Sequence, residues 1–153
     1  MQLSIVIPLY NEQNSIKELN ETIEKVVSAM GIKYEIIYID DGSNDNSWNV
    51  IKDLAKEYDQ IKGIKFLRNF GKSQALSAGF KSAKGDVIIT MDADLQDDPN
   101  EIPDLFKAIN EENFDLISGW KKKRYDSFIF KNFPSKIFNW AARKTSAIKL
   151  NDF

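Results

Sequence analysis

The sequence contains no cysteine and no histidine. Without cysteine the chain forms no disulfide and no thiolate-ligated zinc site. Without histidine it has no Ser-His-Asp triad, no imidazole metal ligand and no histidine acid or base. Any chemistry must therefore depend on carboxylates, lysine, arginine, tyrosine, hydroxyl groups or a bound metal. The sequence also lacks an apolar run long enough to span a bilayer and an N-terminal signal peptide, so we expect a cytosolic, water-soluble chain.

The bulk composition predicts a single globular domain. The chain has 153 residues, of which 42% are hydrophobic and 29% charged, and a formal net charge of −2 that gives no indication of a nucleic-acid partner. The charge is unevenly distributed, because residues 119–153 carry nine basic and two acidic side chains. We therefore predict an α/β core at residues 1–118 and a basic, aromatic segment of the same domain at 119–153, which contacts something anionic.

Short runs of β-branched and apolar residues alternate with segments of helical periodicity. The predicted strands are Leu3–Pro8, Tyr34–Ile39, Ile64–Leu67, Val87–Met91 and Phe114–Ser118. Strands that alternate with helices indicate an α/β fold, with a mostly parallel sheet and helices on both faces. In open sheets of this kind, ligands bind beyond the carboxyl ends of the strands.

Two carboxylates, Asp92 and Asp94, follow the fourth predicted strand and are themselves followed by Gln96. Such close carboxylates repel each other unless a cation or a proton lies between them. Mg²⁺ and Mn²⁺ prefer oxygen ligands and usually bridge to substrate phosphates. Taken alone, this pattern is more typical of a solvated acidic turn. Polar clusters at Pro8–Glu12, Asp40–Asp45 and Arg68–Lys72 also follow strands, however, so we predict a metal–diphosphate site.

Two other ion and phosphate motifs fit the sequence poorly. An EF-hand loop starting at Asp92 would need Gly at its sixth position and Glu at its twelfth, where the chain has Asp97 and Pro103. A phosphate-binding P-loop would need an upstream glycine that is missing before Gly71-Lys72-Ser73. Lys72 alone remains a candidate for neutralising a phosphate.

Three further features each have two interpretations. Asp40 either accepts from a base N–H or a ribose hydroxyl, or only shapes the turn after its strand. Tyr10 either stacks on a base or packs on the rim of the core. The basic run Lys121–Arg124 is either a solvated face or a diphosphate contact.

Four motifs in order resemble those of family 2 glycosyltransferases of the GT-A fold. They are Ile7–Glu12, Asp40–Asp45, Arg68–Lys72 and Met91–Asp97. The likeness is greatest to the polyprenyl-phosphate branch, which includes dolichol-phosphate mannosyltransferases and bacterial undecaprenyl-phosphate sugar transferases. It extends over essentially the whole chain.

The resemblance implies roles for particular residues. The nucleotide-binding positions are Pro8, Tyr10, Glu12, Asp40, Arg68, Lys72 and Asp92. The metal positions are Asp92, Asp94 and Gln96, and the diphosphate positions are Lys121 and Arg124. Lys121 stands where many relatives have the arginine of Gly-x-Arg. The lysine keeps the positive charge but cannot form the bidentate hydrogen bonds that arginine makes to phosphate. Asp94 and Asp152 are the catalytic candidates, Asp152 near the acceptor.

The function implied is metal-dependent, inverting transfer of a sugar from a UDP- or GDP-linked donor, with Mg²⁺ or Mn²⁺ as cofactor. The acceptor would be a polyprenyl phosphate or a glycan. Relatives continue with further segments and often with transmembrane helices, so we expect an N-terminal fragment of a cytoplasmic protein peripheral to the inner face of the membrane. The alternatives are a non-catalytic nucleotide-sugar- or membrane-binding module and a phospho-accepting receiver domain.

Overall fold

A parallel four-stranded sheet forms the centre of the computed structural model, which describes residues 1–111 and 114–119. The strands are β1 (Leu3–Leu9), β2 (Tyr34–Asp40), β3 (Ile61–Lys65) and β4 (Val87–Thr90), in the spatial order β3-β2-β1-β4. The helices are α1 (Ile16–Ser28), α2 (Ser47–Glu57), α3 (Lys72–Ser82) and α4 (Ile102–Glu111), with a 3₁₀ turn at Pro99–Glu101 before α4. The predicted parallel α/β architecture is confirmed.

The core lies on both faces of this sheet. Along β1, every residue is buried, and alternate side chains point to opposite faces. Ile5 and Ile7 pack in a large cluster with apolar residues of α1, α2 and α4. Val6 packs on the other face with Ile37 and with Ala75 of α3. The near-continuous apolar sequence of β1 follows from this burial on two sides.

Helix α3 approaches the sheet closely because Gly79 has no side chain. A Cβ atom added at Gly79 would lie 2.4 Å from Cγ1 of Val6 and 2.9 Å from Cδ1 of Ile39. No real Cβ atom tolerates the first of these distances without displacement of its neighbour. The close packing holds the first turn of α3, which starts at Lys72, beside the carboxyl ends of the strands.

The predicted strand at Phe114–Ser118 is wrong. Residues 114–119 form no regular element, and the Phe114 and Leu116 side chains are exposed. A short apolar run becomes a strand only when a neighbouring strand completes its hydrogen bonds and a core covers its side chains. Within residues 1–111 and 114–119, no helix is both long and apolar enough to cross a membrane.

A buried carboxylate, Glu35 of β2, connects β1, β3 and the segment before β4 at the amino end of the sheet. Its Oε1 accepts hydrogen bonds from Ser4 Oγ at 2.7 Å and from the Lys84 backbone N–H at 2.7 Å. Its Oε2 pairs with Lys62 Nζ at 2.6 Å. Burial by itself raises the pKa of Glu35, but the bonds from Lys62, Ser4 and Lys84 outweigh it and hold the pKa below its ordinary value.

Glu35 is therefore expected to stabilise the fold above its unfolded pKa of about 4.3 and to lose that contribution as the pH falls through its lower folded value. Glu35→Gln should lower the free energy of unfolding at pH 7 by about 1–3 kcal/mol, since it removes charged hydrogen bonds. At pH 3 the difference between the two proteins should be smaller. Urea unfolding at both pH values measures the difference in the free energy of unfolding. Asp53→Asn, which changes an exposed carboxylate, is the control and should change that free energy little. An equal difference at both pH values would contradict the ionised state of Glu35.

Candidate functional site

A cleft of about 270 Å³ lies at the carboxyl ends of the four strands. It contains six residues that the sequence analysis assigned to a site: Pro8, Tyr10, Glu12, Lys72, Asp92 and Asp94. The other residues around it are Leu9, Asp41, Asn69, Gly71, Ala75 and Ala93. The structure therefore brings the nucleoside, phosphate and metal candidates to one place, because parallel strands end at the same edge of a sheet.

The loop after β4 presents Asp92 and Asp94 to this cleft. The Asp92 backbone N–H donates to Oδ2 of Asp97 at 2.9 Å, and the Gln96 N–H donates to Oδ1 of Asp94 at 3.1 Å. Leu95, between Asp94 and Gln96, has φ of 63°, in the left-handed region that a leucine seldom adopts. This sharp reversal places the two carboxylates on the cleft and directs Gln96 elsewhere.

Lys72, the first residue of α3, contacts the loop after β4 through its side chain. Its Nζ lies 2.5 Å from Oδ1 of Asp92, and both side chains are substantially exposed, at 60% and 40%. An ion pair with this exposure contributes roughly 0–1 kcal/mol, because water screens it and two flexible side chains must be ordered. A phosphate group that binds Lys72 and a cation that binds Asp92 can therefore replace the pair at little cost.

The oxygen donors at this edge fit a hard divalent cation. Oδ1 of Asp92 and of Asp94 each have one hydrogen-bonded partner, and among the described residues Oδ2 of each accepts no hydrogen bond. Residues 1–111 and 114–119 contain no group of three or more His, Cys, Asp or Glu side chains placed to hold a metal. Proteins nonetheless often bind Mg²⁺ through only two carboxylates, and its other ligands are then water and substrate phosphates.

Tyr10 and Glu12 lie in the loop after β1, which hydrogen bonds to the loop after β2. The Tyr10 hydroxyl accepts from Asn44 Nδ2 at 3.1 Å, and the Tyr10 side chain is 41% exposed. The Glu12 N–H donates to Ser47 Oγ at 2.9 Å, and its Oε2 accepts from Ser15 Oγ. The aromatic ring is thus anchored at its polar end, with part of its surface free for stacking.

Asp40, the last residue of β2, is fully buried and does not itself border the cleft. Its Oδ1 accepts from the Ser43 N–H at 2.8 Å, whereas its buried Oδ2 has no hydrogen-bond partner within the described residues. A buried carboxylate oxygen without a donor is costly, on the order of 1–3 kcal/mol. Asp40 therefore has an unused acceptor, which a ligand N–H would satisfy if it reached that depth.

Asp41 borders the cleft, although the sequence analysis assigned it no ligand role. Its carboxylate accepts the backbone N–H of Phe70 on Oδ1 and that of Gly71 on Oδ2, both at 2.8 Å. Asn69 and Gly71 also border the cleft and come from the same loop after β3. The only sequence signal for Asp41 was the double aspartate itself, because its partners lie about thirty residues along the chain.

Arg68 and Gln96, two further predicted site residues, lie outside the cleft. The Arg68 guanidinium lies 4.8 Å from the centroid of the Phe70 ring, a cation–π contact at the exposed tip of the loop after β3. Gln96 borders a second cleft of about 240 Å³, between α1 and the loop after β4. Lys121, Arg124 and Asp152 lie outside the described residues, so their assigned roles remain predictions.

Comparison with protein families gives a match over residues 4–152 to the model described as glycosyl transferase family 2. Two curated relatives are an undecaprenyl-phosphate 4-deoxy-4-formamido-L-arabinose transferase of Shewanella sediminis, 43% identical, and a dodecaprenyl-phosphate galacturonate synthase of Rhizobium johnstonii, 34% identical. The alignments cover 99% and 100% of this chain and 45% and 46% of those proteins. The chain thus spans about half the length of these curated relatives.

Solved structures with the same fold contain donor nucleotides and a metal. S. aureus TarS 1-349 in complex with UDP-GlcNAc aligns with a TM-score of 0.64 at 21% identity, over 86% of this chain and 38% of that one. The mannosyltransferase PcManGT of Pyrobaculum calidifontis, in complex with GDP-Man and Mn²⁺, aligns with a TM-score of 0.56 at 23% identity, over 61% and 27%. At these identities the likeness shows the fold alone.

Proposed function

Since this chain belongs to glycosyl transferase family 2, we propose that its strand-end cleft binds a nucleotide-diphosphate sugar and that the protein transfers the sugar to a polyprenyl phosphate. The observation that carries the proposal is the convergence of Lys72 with Asp92 and Asp94 beside Tyr10. One cleft thus offers a cation for phosphate, two acids for a metal and an aromatic face for a base. A receiver domain is no longer supported, since the family match extends over residues 4–152 and β1 leads into Tyr10 and Asn11 and not into an acid pair.

The nucleoside of the donor would bind at the ends of β1 and β2. Tyr10 would stack on the base, because its ring is partly exposed and its hydroxyl is held by Asn44. Oδ2 of Asp40 would accept the imide N–H that uracil and guanine share, which removes the cost of a buried acceptor without a donor. Pro8 and Glu12 complete this end of the cleft.

The diphosphate would lie between α3 and the loop after β4. Lys72 would exchange its bond with Asp92 for a phosphate oxygen, which leaves Asp92 and Asp94 to hold Mg²⁺ or Mn²⁺. When bound there, the metal neutralises the charge that develops on the departing nucleoside diphosphate. The role of Asp94 in the reaction is thus electrostatic. On the basis of the family resemblance we propose Lys121 and Arg124 as further contacts at this end, whereas Gln96 borders the second cleft and is not assigned to it.

The acceptor is proposed from the two relatives, whose names differ in the sugar and share a polyprenyl phosphate. A lipid phosphate is already anionic, so it attacks the anomeric carbon without a general base and from the face opposite the leaving group, with inversion. Asp152 would then position the acceptor, whereas with a hydroxyl acceptor it would remove a proton. The nine basic side chains of residues 119–153 favour a position at the surface of an anionic membrane.

Calorimetric titration of the protein with UDP and with GDP, each with and without Mn²⁺, tests the donor site. We expect one of the two to bind, more tightly when Mn²⁺ is present. Lys72→Met should weaken that binding about tenfold or more, because a charged hydrogen bond is worth about 1.5–3 kcal/mol. Lys56→Met, which removes an exposed lysine of α2 that pairs with Asp53 and does not border the cleft, serves as the control and should bind as the unaltered protein does.

Absence of binding by either nucleotide in the presence of Mn²⁺ would overturn the proposal. Binding without transfer, in an assay with the matching nucleotide sugar and a polyprenyl phosphate, would instead favour a non-catalytic nucleotide-sugar-binding module.

A further inference from the structure

The loop after β3 presents apolar side chains to solvent on a fixed backbone. At its start the Phe66 N–H donates to the Asp40 carbonyl oxygen, and at its end the Phe70 N–H donates to the Asp41 carboxylate, both at 2.8 Å. Between these two bonds the Leu67 side chain is fully exposed, and the Phe70 side chain is 51% exposed. Single exposed apolar residues are common on proteins, so the meaning of Leu67 depends on the groups around it.

Two cations, each beside an aromatic ring, accompany this apolar pair. The Arg68 guanidinium lies 4.8 Å from the centroid of the Phe70 ring, and Lys65 Nζ lies 5.7 Å from the centroid of the Trp48 ring. Among the described residues, neither Lys65 nor Arg68 forms an ion pair. Both positive charges therefore remain available to an external anionic group.

The sequence on either side of the loop is basic as well. Residues 60–85 contain six basic and no acidic side chains, although residues 1–118 as a whole contain more acidic than basic ones. This stretch includes β3, the loop after it and α3. Exposed apolar side chains with tryptophan, lysine and arginine beside them are the combination that binds the interface of an anionic bilayer.

We propose that Leu67 and Phe70 insert into the surface of an anionic lipid bilayer, with Lys65 and Arg68 at its headgroups. The loop leaves the sheet at the carboxyl ends of the strands, and its Asn69 borders the cleft. Insertion would therefore bring the cleft to the membrane surface. The inference rests on the proposed function in that the acceptor is taken to be a lipid phosphate held in that membrane. It adds a membrane contact within residues 65–70 to the one expected of residues 119–153.

A fluorescent label at position 67 tests the insertion separately from any binding by residues 119–153. The chain has no cysteine, so Leu67→Cys supplies a single thiol for an environment-sensitive label, and Phe80→Cys supplies the matched control. Phe80 is an exposed aromatic residue in the last turn of α3, whereas the loop leads into the first turn.

The labelled proteins are mixed with vesicles of phosphatidylcholine and phosphatidylglycerol. The emission of the label at position 67 should shift to shorter wavelength and be quenched by a nitroxide on the acyl chains, and the label at position 80 should show neither change. An unchanged label at position 67 on vesicles that bind the protein would overturn the inference, because another part of the chain would then make the contact. Equal changes at the two positions would overturn it too.

Sedimentation with the same vesicles measures the contribution of individual side chains. Leu67→Ser should weaken binding about threefold or more, because it removes apolar area from the bilayer. Lys65→Gln should weaken it about fivefold, and Phe80→Ser should bind as the unaltered protein does. Equal binding by Leu67→Ser and Phe80→Ser would contradict the proposal. Self-association in solution that Leu67→Ser abolishes would instead identify a second copy of the chain as the partner of this loop.

Titration with UDP and GDP separates the membrane contact from the donor site. Leu67→Ser should bind either nucleotide as the unaltered protein does, because Leu67 does not border the cleft. A weaker affinity would place Leu67 in the donor site and overturn the inference. If the unaltered protein binds neither nucleotide, the proposed function fails, while the label at position 67 still decides whether the loop enters the bilayer.

Discussion

Asp94→Asn is expected to lower the rate of sugar transfer by about a thousandfold. A metal held at this position would stabilise charge on the leaving diphosphate by several kcal/mol, and each 1.4 kcal/mol corresponds to about a factor of ten in rate. Asparagine keeps the shape of the side chain and the acceptor for the Gln96 N–H, so the loop after β4 should keep its conformation. The measurement is the initial rate of transfer at varied Mn²⁺ concentration.

The control for Asp94→Asn is Asp98→Asn in the same loop. Asp98 borders the second cleft and accepts the Asn100 N–H at the start of the 3₁₀ turn, where asparagine caps equally well. The rate of sugar transfer by Asp98→Asn, and the dependence of that rate on Mn²⁺, should remain those of the unaltered protein. Transfer by Asp94→Asn at a near-normal rate, with unchanged dependence on Mn²⁺, would rule out Asp94 as a metal ligand.

Gly42→Ala is expected to lower the free energy of unfolding by about 3 kcal/mol or more. Gly42 has φ of 74°, which costs an alanine roughly 1–2 kcal/mol. A Cβ atom at this position would also lie 2.4 Å from the backbone carbon of Arg68 and 2.7 Å from the Asn69 nitrogen. The loop after β3 would have to move away, which costs a further 1–3 kcal/mol or so and displaces Asn69 at the cleft.

Gly31→Ala separates the two costs in Gly42→Ala. Gly31 has φ of 66°, similar to that of Gly42, but no atom lies within 4 Å of a Cβ added there. It should therefore show the conformational cost alone, roughly 1–2 kcal/mol, and normal nucleotide binding. Urea unfolding and titration of both variants measure the comparison. Equal destabilisation by the two substitutions would show that the loop after β3 is not held against Gly42.

The sequence predicted the place of the site better than its contacts. Apolar runs that end in Pro8, Asp40 and Asp92 were sufficient to locate a cleft, because the carboxyl ends of parallel strands share one edge of the sheet. This part depends on periodicity and local composition, which a single sequence contains. The structure places six of the predicted residues around that cleft.

The contacts that the sequence did not predict depend on long-range packing or on an unusual backbone. The partners of Asp41 are the N–H groups of Phe70 and Gly71, which no pattern of residue types identifies. Gln96 borders the second cleft because Leu95 reverses the chain with a positive φ, although leucine has no preference for that conformation. Phe114–Ser118 has the composition of a strand, but strand formation also requires a partner, and composition does not report one.

The hydrogen bonds between the loops after β1, β2 and β3 have a consequence for the thermodynamics of association. Asn11 and Asn44 join the first two loops, and Asp41 joins the second to the third. The conformational entropy of these segments is therefore lost during folding and not when a ligand arrives. Binding of a nucleoside there should show a small entropic penalty. Most of the reorganisation on binding should be confined to Lys72 and Asp92, whose side chains would exchange their ion pair for contacts with the ligand.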